Sequence, residues 1–258
     1  MTSPSPSDNS SRPATPRRRR TAVVIWLAVL GLTCGLLLPN VQRIRDGEAY
    51  ALSAYNLRQI GDAIRIYHEA NGNRLPAAAR KGKDGQPLLS WRVMILPYLE
   101  QDNLYREFHF DEPWDSPHNL PLLKKMPRAY TKPWKDDTRT HYQAFVGPRT
   151  AFERDGLSLA DFPDGLANTV LVVESAEAVP WTKPDDLAYA PDQPLPQLGL
   201  GFTKPVKLLG YELRRKPGFN AVFADGTVRF LDASIDDATR RAIITRNGGE
   251  PVNVSKWD

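Results

Sequence analysis

An uncharged apolar run, TAVVIWLAVLGLTCGLLL, occupies residues 21–38 and follows four consecutive arginines at 17–20. Eighteen helical residues span about 27 Å, close to the roughly 30 Å hydrocarbon thickness of a bilayer. A buried core helix would carry a polar face, which this run lacks. A cleaved signal peptide would end in a small-x-small site, whereas the chain continues as LLLPNVQ. We therefore expect an uncleaved transmembrane helix over 21–38.

The distribution of charge predicts how this helix is oriented. Residues 1–20 hold five of the 34 Lys and Arg and one of the 30 Asp and Glu, so 21–258 contains 29 of each. The arginines predict a single-pass protein of the inner (cytoplasmic) membrane, with the N-terminus in the cytoplasm and the C-terminal domain (39–258) extracytoplasmic. The Ser- and Pro-rich start predicts a disordered basic cytoplasmic tail over 1–20. A nucleic-acid binder would carry its positive excess on the folded domain, so we expect no nucleic-acid partner.

A single cysteine, Cys34, excludes an internal disulfide framework and a multi-cysteine metal site. Two interpretations remain, a lipidated cysteine of an exported lipoprotein and a plain membrane-buried cysteine. Lipoprotein processing expects a leucine three residues before the cysteine and a small Gly or Ala just before it. The chain has Gly31-Leu32-Thr33 there, which favours the buried cysteine.

Helical periodicity continues after Pro39, a predicted kink, as far as about Ala70, where Gly72 provides a stop. One face of this helix is apolar and the opposite face is charged. The apolar stripe comprises Leu57, Ile60, Ile64 and Tyr67, with Ala54 and Ala63 beside it; the charged face carries Arg58, Asp62, Arg65 and Glu69. We expect the apolar face to pack on a sheet.

Strand patterns come late in the chain. The candidates are HYQAFVG (141–147), TVLVVES (169–175), VKLLGYEL (206–213), FNAVFA (219–224) and TVRFLD (227–232). Asp225-Gly226 separates the last two and predicts a hairpin with positive φ at the glycine. The six prolines in 180–205 predict an extended excursion, and DDATRRAIITR (236–246) predicts a closing helix. The order of elements predicts an α+β fold, with a long N-terminal helix packed on an antiparallel β-sheet that carries long loops.

Several long runs resemble the bacterial DUF1559 proteins, which are pseudopilin-like. They are LLLPNVQRIRDGEAYALSAYNLRQIGDAIRIYHEANGNRLP, SWRVMILPYLEQDNLYREFHFDEPWDSPHN (90–119), FPDGLANTVLVVE (162–174), FNAVFADGTVRFLD (219–232) and RAIITRNGGE (241–250). They follow the order of the family and cover most of 37–250. The resemblance implies a pilin-like fold and no established enzymatic activity.

The start of the chain departs from the family pattern. Members usually begin with a prepilin signal, a glycine followed by Phe-Thr-Leu-Ile-Glu, that prepilin peptidase cuts. Counting back from Pro39 puts residues 17–22 in that place, with Ala22 at the position of the glutamate. Neither the cleavage site nor the carboxylate implied to register neighbouring subunits is present. The departure favours a permanent anchor over assembly into a filament.

The turn that ends the long helix places His68 beside Glu69. Two interpretations are open, a scaffold turn and a catalytic base. His68 lies at the edge of the apolar stripe, and a histidine near a helix C-terminus interacts favourably with the helix dipole. Both arguments favour the scaffold, with a partner contact as the remaining alternative.

The segment HFDEPWDSPH (109–118) is the densest cluster of candidate metal ligands. It contains His109, Asp111, Glu112, Asp115 and His118. The carboxylates of Asp111 and Asp115 are suited to calcium, but the spacing is not that of an EF-hand loop. Two prolines and Trp114 favour a rigid turn in which the acids cap backbone amides. We predict no metal ligand and no cofactor.

The remaining catalytic patterns are incomplete. The chain has no G-x-S-x-G elbow and no H-E-x-x-H spacing, and GLGFTKP (199–205) lacks the Gly-Lys-Ser/Thr of a phosphate loop. Asp164-Gly165 and Asp225-Gly226 are typical of turns, with a catalytic carboxylate pair as the weaker alternative. We predict no catalytic residue and no enzymatic activity.

Two functions from different classes remain. The first is a non-catalytic, membrane-anchored, pseudopilin-like protein exposed outside the inner membrane, acting through protein partners in the envelope. The second is an anchored receptor for a solute or glycan of unknown identity. Trp91, Trp114, Trp134 and Trp181 favour the receptor, since exposed indoles are common stacking surfaces. Whether they line one open cleft distinguishes the two.

Overall fold

The structure is a computed structural model that describes residues 26–27, 47–132, 138–199, 203–208 and 211–250, with the backbone alone at 203–208 and 211–215. The chain divides into two compact units, Met1–Arg45 and Asp46–Asp258. In the first unit the described residues Trp26 and Leu27 are helical and exposed. The predicted tail, the rest of the 21–38 run and the predicted kink at Pro39 lie outside the described residues.

The second unit begins with a long helix, α1, over 47–70. The other helices and strands follow in chain order: β1 (Ala79–Lys81), β2 (Pro87–Ser90), α2 (Trp91–Met94), α3 (Asp102–Glu107), β3 (Arg139–Gln143), β4 (Phe145–Val146), β5 (Val170–Pro180), β6 (Leu187–Ala188), β7 (Thr203–Leu208), β8 (Tyr211–Phe223), β9 (Val228–Asp232) and α4 (Asp237–Ile244). Short 3-10 turns lie at 96–99, 120–125, 128–130, 159–161 and 166–168. Within the described residues, no helix combines the length and apolar character needed to cross a membrane.

An antiparallel sheet of five described strands forms the centre of this unit. Its order is β3-β5-β8-β7, and β9 pairs with β8 beyond the stretch that β7 occupies. β1 and β2 form a separate antiparallel pair, and β4 and β6 a short parallel one. The predicted mixture of helix and antiparallel sheet is therefore confirmed at this level of description.

The central strands of the sheet are covered on both faces. Successive side chains of a strand point to opposite faces, so each of these strands contributes to two cores. On one face, Val172 and Val222 belong to the same core as Leu57, Ile60 and Ile64 of α1, as the apolar stripe predicts. The residues next to them in the strands point to the opposite face. That second core contains Val173, Ala221, Phe223, Ile243 and Ile244, the last two from α4.

The predicted hairpin is present between β8 and β9. Gly226 has φ +85°, and its amide donates to the Phe223 carbonyl at 2.9 Å. The Asp225 carboxylate accepts the Thr227 amide at 2.9 Å, which closes the turn. The predicted C-terminal helix is present as α4, and the Asp236 side chain caps it by accepting the Thr239 amide at 2.8 Å.

Two strand predictions were wrong in their boundaries. The segment 141–147 is broken at Ala144, whose amide donates to the Asp186 carboxylate at 2.9 Å and leaves the ladder. The segment 206–213 contains the end of β7 and the start of β8, which pair with each other through Leu208 and Tyr211. The apolar residues of the predicted strand therefore belong to two antiparallel strands, with Val206 and Leu208 in β7 and Tyr211 and Leu213 in β8. The predicted excursion over 180–205 includes β6 and the start of β7.

Candidate functional site

The outer side of α1 carries large apolar side chains that the domain leaves uncovered. Positions 52, 55, 59, 62 and 66 recur every three or four residues, so they lie along one side of the helix. Leu52, Tyr55 and Ile66 on that side are 44%, 59% and 48% exposed. The sequence pattern assigned no role to them, since the stripe that packs on the sheet accounts for the fold.

A groove of about 650 Å³ runs beside this outer side. Its walls come from α1, from the turn at 98–101 and from the turn at 125–129. The lining residues are Tyr55, Gln59, Asp62, Tyr98, Leu99, Glu100, Gln101, Lys125, Met126, Pro127, Arg128 and Ala129. The groove is an open surface feature made by three segments that are distant in the chain.

The wall at Tyr98 is fixed by contacts that hold its ring in place. The ring packs edge-on against Tyr67, with centroids 5.7 Å apart, and its hydroxyl accepts the Asn71 Nδ2 group at 3.0 Å. The neighbouring Glu100 has φ +60°, a left-handed conformation that is costly for a residue other than glycine. Contacts within the domain therefore fix the position of this wall.

The charges of the groove are balanced. Asp62 and Glu100 face Lys125 and Arg128 around it, and the ammonium group of Lys125 pairs with Glu107. A balanced surface with aromatic and apolar residues does not select a highly charged ligand. It suits a partner with mixed polar and apolar chemistry.

A network of buried polar groups lies on the opposite side of α1, against the sheet. Ser53 donates to Glu174 Oε1 of β5, and its Oγ lies 2.9 Å from the Tyr142 hydroxyl of β3. Asn56 Nδ2 donates to that hydroxyl at 3.3 Å. Asn220 of β8 donates its backbone amide to Glu174 Oε2 at 2.7 Å and its Nδ2 to Oε1 at 3.0 Å. All five side chains are buried, so this cluster joins the helix to three strands.

Burial changes the pKa of the two acidic groups in this network. Removal from water disfavours the charged form and raises the pKa of Glu174 to about 7, while the donated hydrogen bonds of Ser53 and Asn220 oppose that rise. Burial likewise raises the pKa of the Tyr142 phenol. The sequence pattern predicted no role for Glu174 or Ser53. The one available signal was an acid within the otherwise apolar run TVLVVE.

A second buried carboxylate, Asp186, is compensated by a cation. Its Oδ1 lies 2.6 Å from Arg92 Nη2 and also accepts the Trp91 indole N–H at 3.2 Å. Burial raises the pKa of the Asp186 carboxyl, and the Arg92 guanidinium and the Ala144 amide oppose the rise. This ion pair joins α2 to the segment before β6 and is a structural element of the core.

The His68-Glu69 turn contacts the 3-10 turn at 159–161. The Nε2 atom of His68 lies 3.3 Å from the Ser158 Oγ and accepts the Leu159 amide at 3.3 Å. His68 is buried and Glu69 is exposed. The scaffold interpretation is consistent with these contacts, because they tie the end of α1 to the 159–161 turn.

In the 109–118 segment, the structure brings the two histidines together. The rings of His109 and His118 stack with centroids 3.3 Å apart, and His109 Nδ1 lies 2.8 Å from Glu112 Oε1. That hydrogen bond lowers the pKa of Glu112. Asp111 and Asp115 are exposed, and no group of three or more metal-binding side chains occurs among the described residues.

The side chain that organises this turn is Asn119, which the sequence interpretation missed. Its Oδ1 accepts the His109 amide at 3.0 Å, and its Nδ2 donates to the carbonyls of His109, Glu112 and Pro113 at 2.9–3.2 Å. Asn119 is fully buried. The rigid turn is therefore present, but a buried amide fixes it where capping by the acids was expected.

Of the four tryptophans that favoured a receptor, the three that the structure describes, Trp91, Trp114 and Trp181, do not line one open cleft. Trp91 and Trp181 are fully buried, and the Trp181 indole donates to the Leu123 carbonyl at 3.0 Å. Trp114 is half-buried against the core, and Trp134 lies outside the described residues. These three side chains lie in the core or pack against it. The aromatic residues that line the groove are Tyr55 and Tyr98.

The aspartates of the two Asp-Gly pairs are engaged at separate turns. Asp164 accepts the Gly248 amide at 2.6 Å and ties the C-terminal segment to the loop before β5. Asp225 accepts the Thr227 amide within the hairpin. Both side chains therefore stabilise turns.

Residues 52–133 match the family model described as "Protein of unknown function (DUF1559)". The match contains every residue that lines the groove, together with Ser53 and Asn56 of the buried network. No curated protein and no solved structure matches the chain.

Proposed function

We propose that this chain, whose residues 52–133 match the DUF1559 family model, is a non-catalytic, membrane-anchored, pseudopilin-like protein that acts through protein contacts outside the inner membrane. The observation that carries the proposal is the uncovered outer side of α1 with its adjoining groove. Leu52, Tyr55 and Ile66 remain largely exposed there, within the family-matched segment. Full burial of a leucine or isoleucine side chain contributes about 1.5–3 kcal/mol, so a partner that covers them gains affinity.

The anchored, pilin-like part of the proposal is supported by the sequence. The apolar run 21–38 has the length of a membrane span, and the arginines at 17–20 favour a cytoplasmic N-terminus. In the domain, α1 packs one face on an antiparallel sheet, which is the arrangement that a pilin-like fold requires.

Site-specific photo-crosslinking in intact membranes tests the protein-contact role. A benzophenone amino acid replaces Tyr55 in one variant and Glu177 in another; both positions are exposed, but Glu177 lies on β5 and does not line the groove. We expect a discrete crosslinked adduct from position 55 and little from position 177. Equal yields at both positions, or no adduct at position 55 with normal expression, would contradict the proposal.

The receptor remains a second candidate, and the tyrosines of the groove are the observation in its favour. The Tyr98 ring is held in place, and Tyr55 lines the same groove together with the polar side chains of Gln59 and Gln101. Aromatic faces beside amide and carboxyl groups are suited to sugars and similar polar solutes. A panel of soluble glycans in a thermal-shift assay tests it: the receptor predicts a rise in Tm that Tyr98→Ala abolishes, and no rise with any glycan counts against it.

A further inference from the structure

Two carboxyl groups that are buried in the described part of the domain, those of Asp186 and Glu174, are compensated in different ways. Asp186 has the guanidinium of Arg92 at 2.6 Å. Glu174 has hydrogen-bond donors, all of them neutral, and no described Lys, Arg or His nitrogen forms an ion pair with it. An ionised carboxylate in such a place keeps much of its desolvation cost. Protonation of Glu174 removes this desolvation cost and therefore changes the stability of the contact between α1 and the sheet.

The donors around Glu174 form a directed chain. Asn56 donates to the Tyr142 hydroxyl, that hydroxyl lies within hydrogen-bond distance of Ser53, and Ser53 donates to Glu174. The two α1 groups in this chain of hydrogen bonds are therefore the side-chain amide of Asn56 and the hydroxyl of Ser53. The strength of this junction depends on a single acid that receives bonds from both the helix and β8.

Asn220 supplies a second, independent observation. Its Oδ1 is buried and has no hydrogen-bond partner among the residues that the structure describes, while its Nδ2 donates to Glu174 Oε1 at 3.0 Å. A half-turn of the amide places Oδ1 where Nδ2 now lies, within reach of a proton on Glu174. Protonation of Glu174 thus creates a donor next to an acceptor that otherwise lacks one.

The charged and titratable groups that act on Glu174 come from two other segments. Burial and the nearby Glu174 carboxylate raise the pKa of the Tyr142 phenol of β3, and the Lys132 ammonium, just after the 128–130 turn, favours ionisation of Glu174. The groups that α1 and β8 direct at Glu174 are the neutral side chains of Ser53 and Asn220 and the backbone amide of Asn220.

We propose that Glu174 is a proton-operated clamp, which holds α1 firmly on the sheet when protonated and loosens that junction when its proton passes to solvent. The loosened state lets water reach the carboxylate between α1 and the strands. This inference does not depend on the role proposed for the groove.

The direction of the pH effect follows from linkage. Burial raises the pKa of Glu174 to about 7 in the folded domain, above the ordinary 4.5 expected in the unfolded chain. Between these values the folded state binds more protons, so stability is greatest at low pH and falls as pH rises towards 7. Above that range the contribution of this group no longer changes.

The test follows the full chain and three variants from pH 5 to pH 9 by thermal unfolding and amide hydrogen exchange. In the parent, we expect a fall in Tm up to about pH 7 and, after correction for intrinsic rates, at least tenfold faster exchange in residues 50–57 at the high-pH end. Glu174→Gln cannot ionise and should lose both changes. Glu177→Gln, an exposed acid on the same strand, should keep both.

Ser53→Ala keeps the clamp testable even when Glu174→Gln does not fold. Because the Ser53 hydrogen bond lowers the pKa of Glu174, its loss should shift the transition to higher pH. A parent protein without a transition, a Glu174→Gln protein with the same transition, or a Ser53→Ala protein with an unmoved midpoint would each overturn the proposal.

Discussion

Arg92 Nη2 and Asp186 Oδ1 lie 2.6 Å apart, with both side chains almost fully withdrawn from water. The pair joins α2 to the segment before β6 across 94 residues of sequence. Arg92 also donates its Nε to the Tyr142 carbonyl at 2.9 Å, and its guanidinium carbon lies 4.8 Å from the Trp91 ring. Removal of either charge leaves the other buried and uncompensated.

Asp186→Ala is therefore expected to destabilise the domain by about 3–5 kcal/mol, as breaking a buried ion pair does. Asp185→Ala is the matched control, because Asp185 is adjacent, half-exposed and paired with Lys183 at the surface; its cost should stay within about 0.5 kcal/mol. Urea unfolding of both variants measures the difference. Equal losses would show that the pair at Asp186 does not stabilise the fold.

Gly61 lies where α1 touches the sheet. A Cβ atom there would lie 2.5 Å from Val222 Cγ2, so Gly61→Val should cost about 1–3 kcal/mol through overpacking. Gly47→Ala, also in α1 but with open space around it, should be neutral or stabilise by up to about 1 kcal/mol. In a Val222→Ala background the cost of Gly61→Val should shrink; an unchanged cost would place its origin elsewhere.

The β8–β9 hairpin depends on Gly226. Its φ of +85° is unfavourable for a residue that carries a Cβ atom, and a Cβ atom there would lie 2.9 Å from Arg65 Nη1. Gly226→Val should lower stability by about 1–3 kcal/mol, and Gly226→Asn should cost less because Asn tolerates left-handed backbone. Thermal unfolding of the parent and both variants measures these differences. Identical Tm values for the parent and the valine variant would contradict this account of the turn.

The division of the chain between Arg45 and Asp46 predicts a stable fragment. Residues 46–258 should be soluble and fold cooperatively, because the apolar stripe of α1 packs within this unit. Circular dichroism and a melting curve of the purified fragment check this. An insoluble fragment, or one without a cooperative transition, would show that residues 1–45 are needed for folding.

The arginines at 17–20 are expected to set the topology. A reporter that is active only outside the inner membrane, fused after Asp258, should be active in the parent and lose activity when these arginines become serines. Replacing Arg12, which lies farther from the apolar run, serves as the control and should leave activity unchanged. An inactive, well-expressed parent fusion would place the domain in the cytoplasm.

The local sequence pattern predicted the structure correctly where neighbouring residues determine it. The stripe through Leu57, Ile60 and Ile64 identified the buried face of α1, because side chains three or four apart share one side of a helix. Asp225-Gly226 identified the hairpin, because only a few residue types adopt the backbone that such a turn needs. The segment 236–246 was likewise predicted as a helix, and α4 occupies Asp237–Ile244 within it.

Only the tertiary structure decided where polar side chains find their partners. Ser53 and Glu174 are 121 residues apart, and no local pattern indicates that a helix hydroxyl meets a strand carboxylate. Asp186 ends β3 by taking the Ala144 amide, and Asn119 holds the turn that the acids were expected to cap. The groove likewise requires three separated segments. Periodicity records which face of an element is buried, whereas hydrogen bonds and clefts depend on how distant elements pack together.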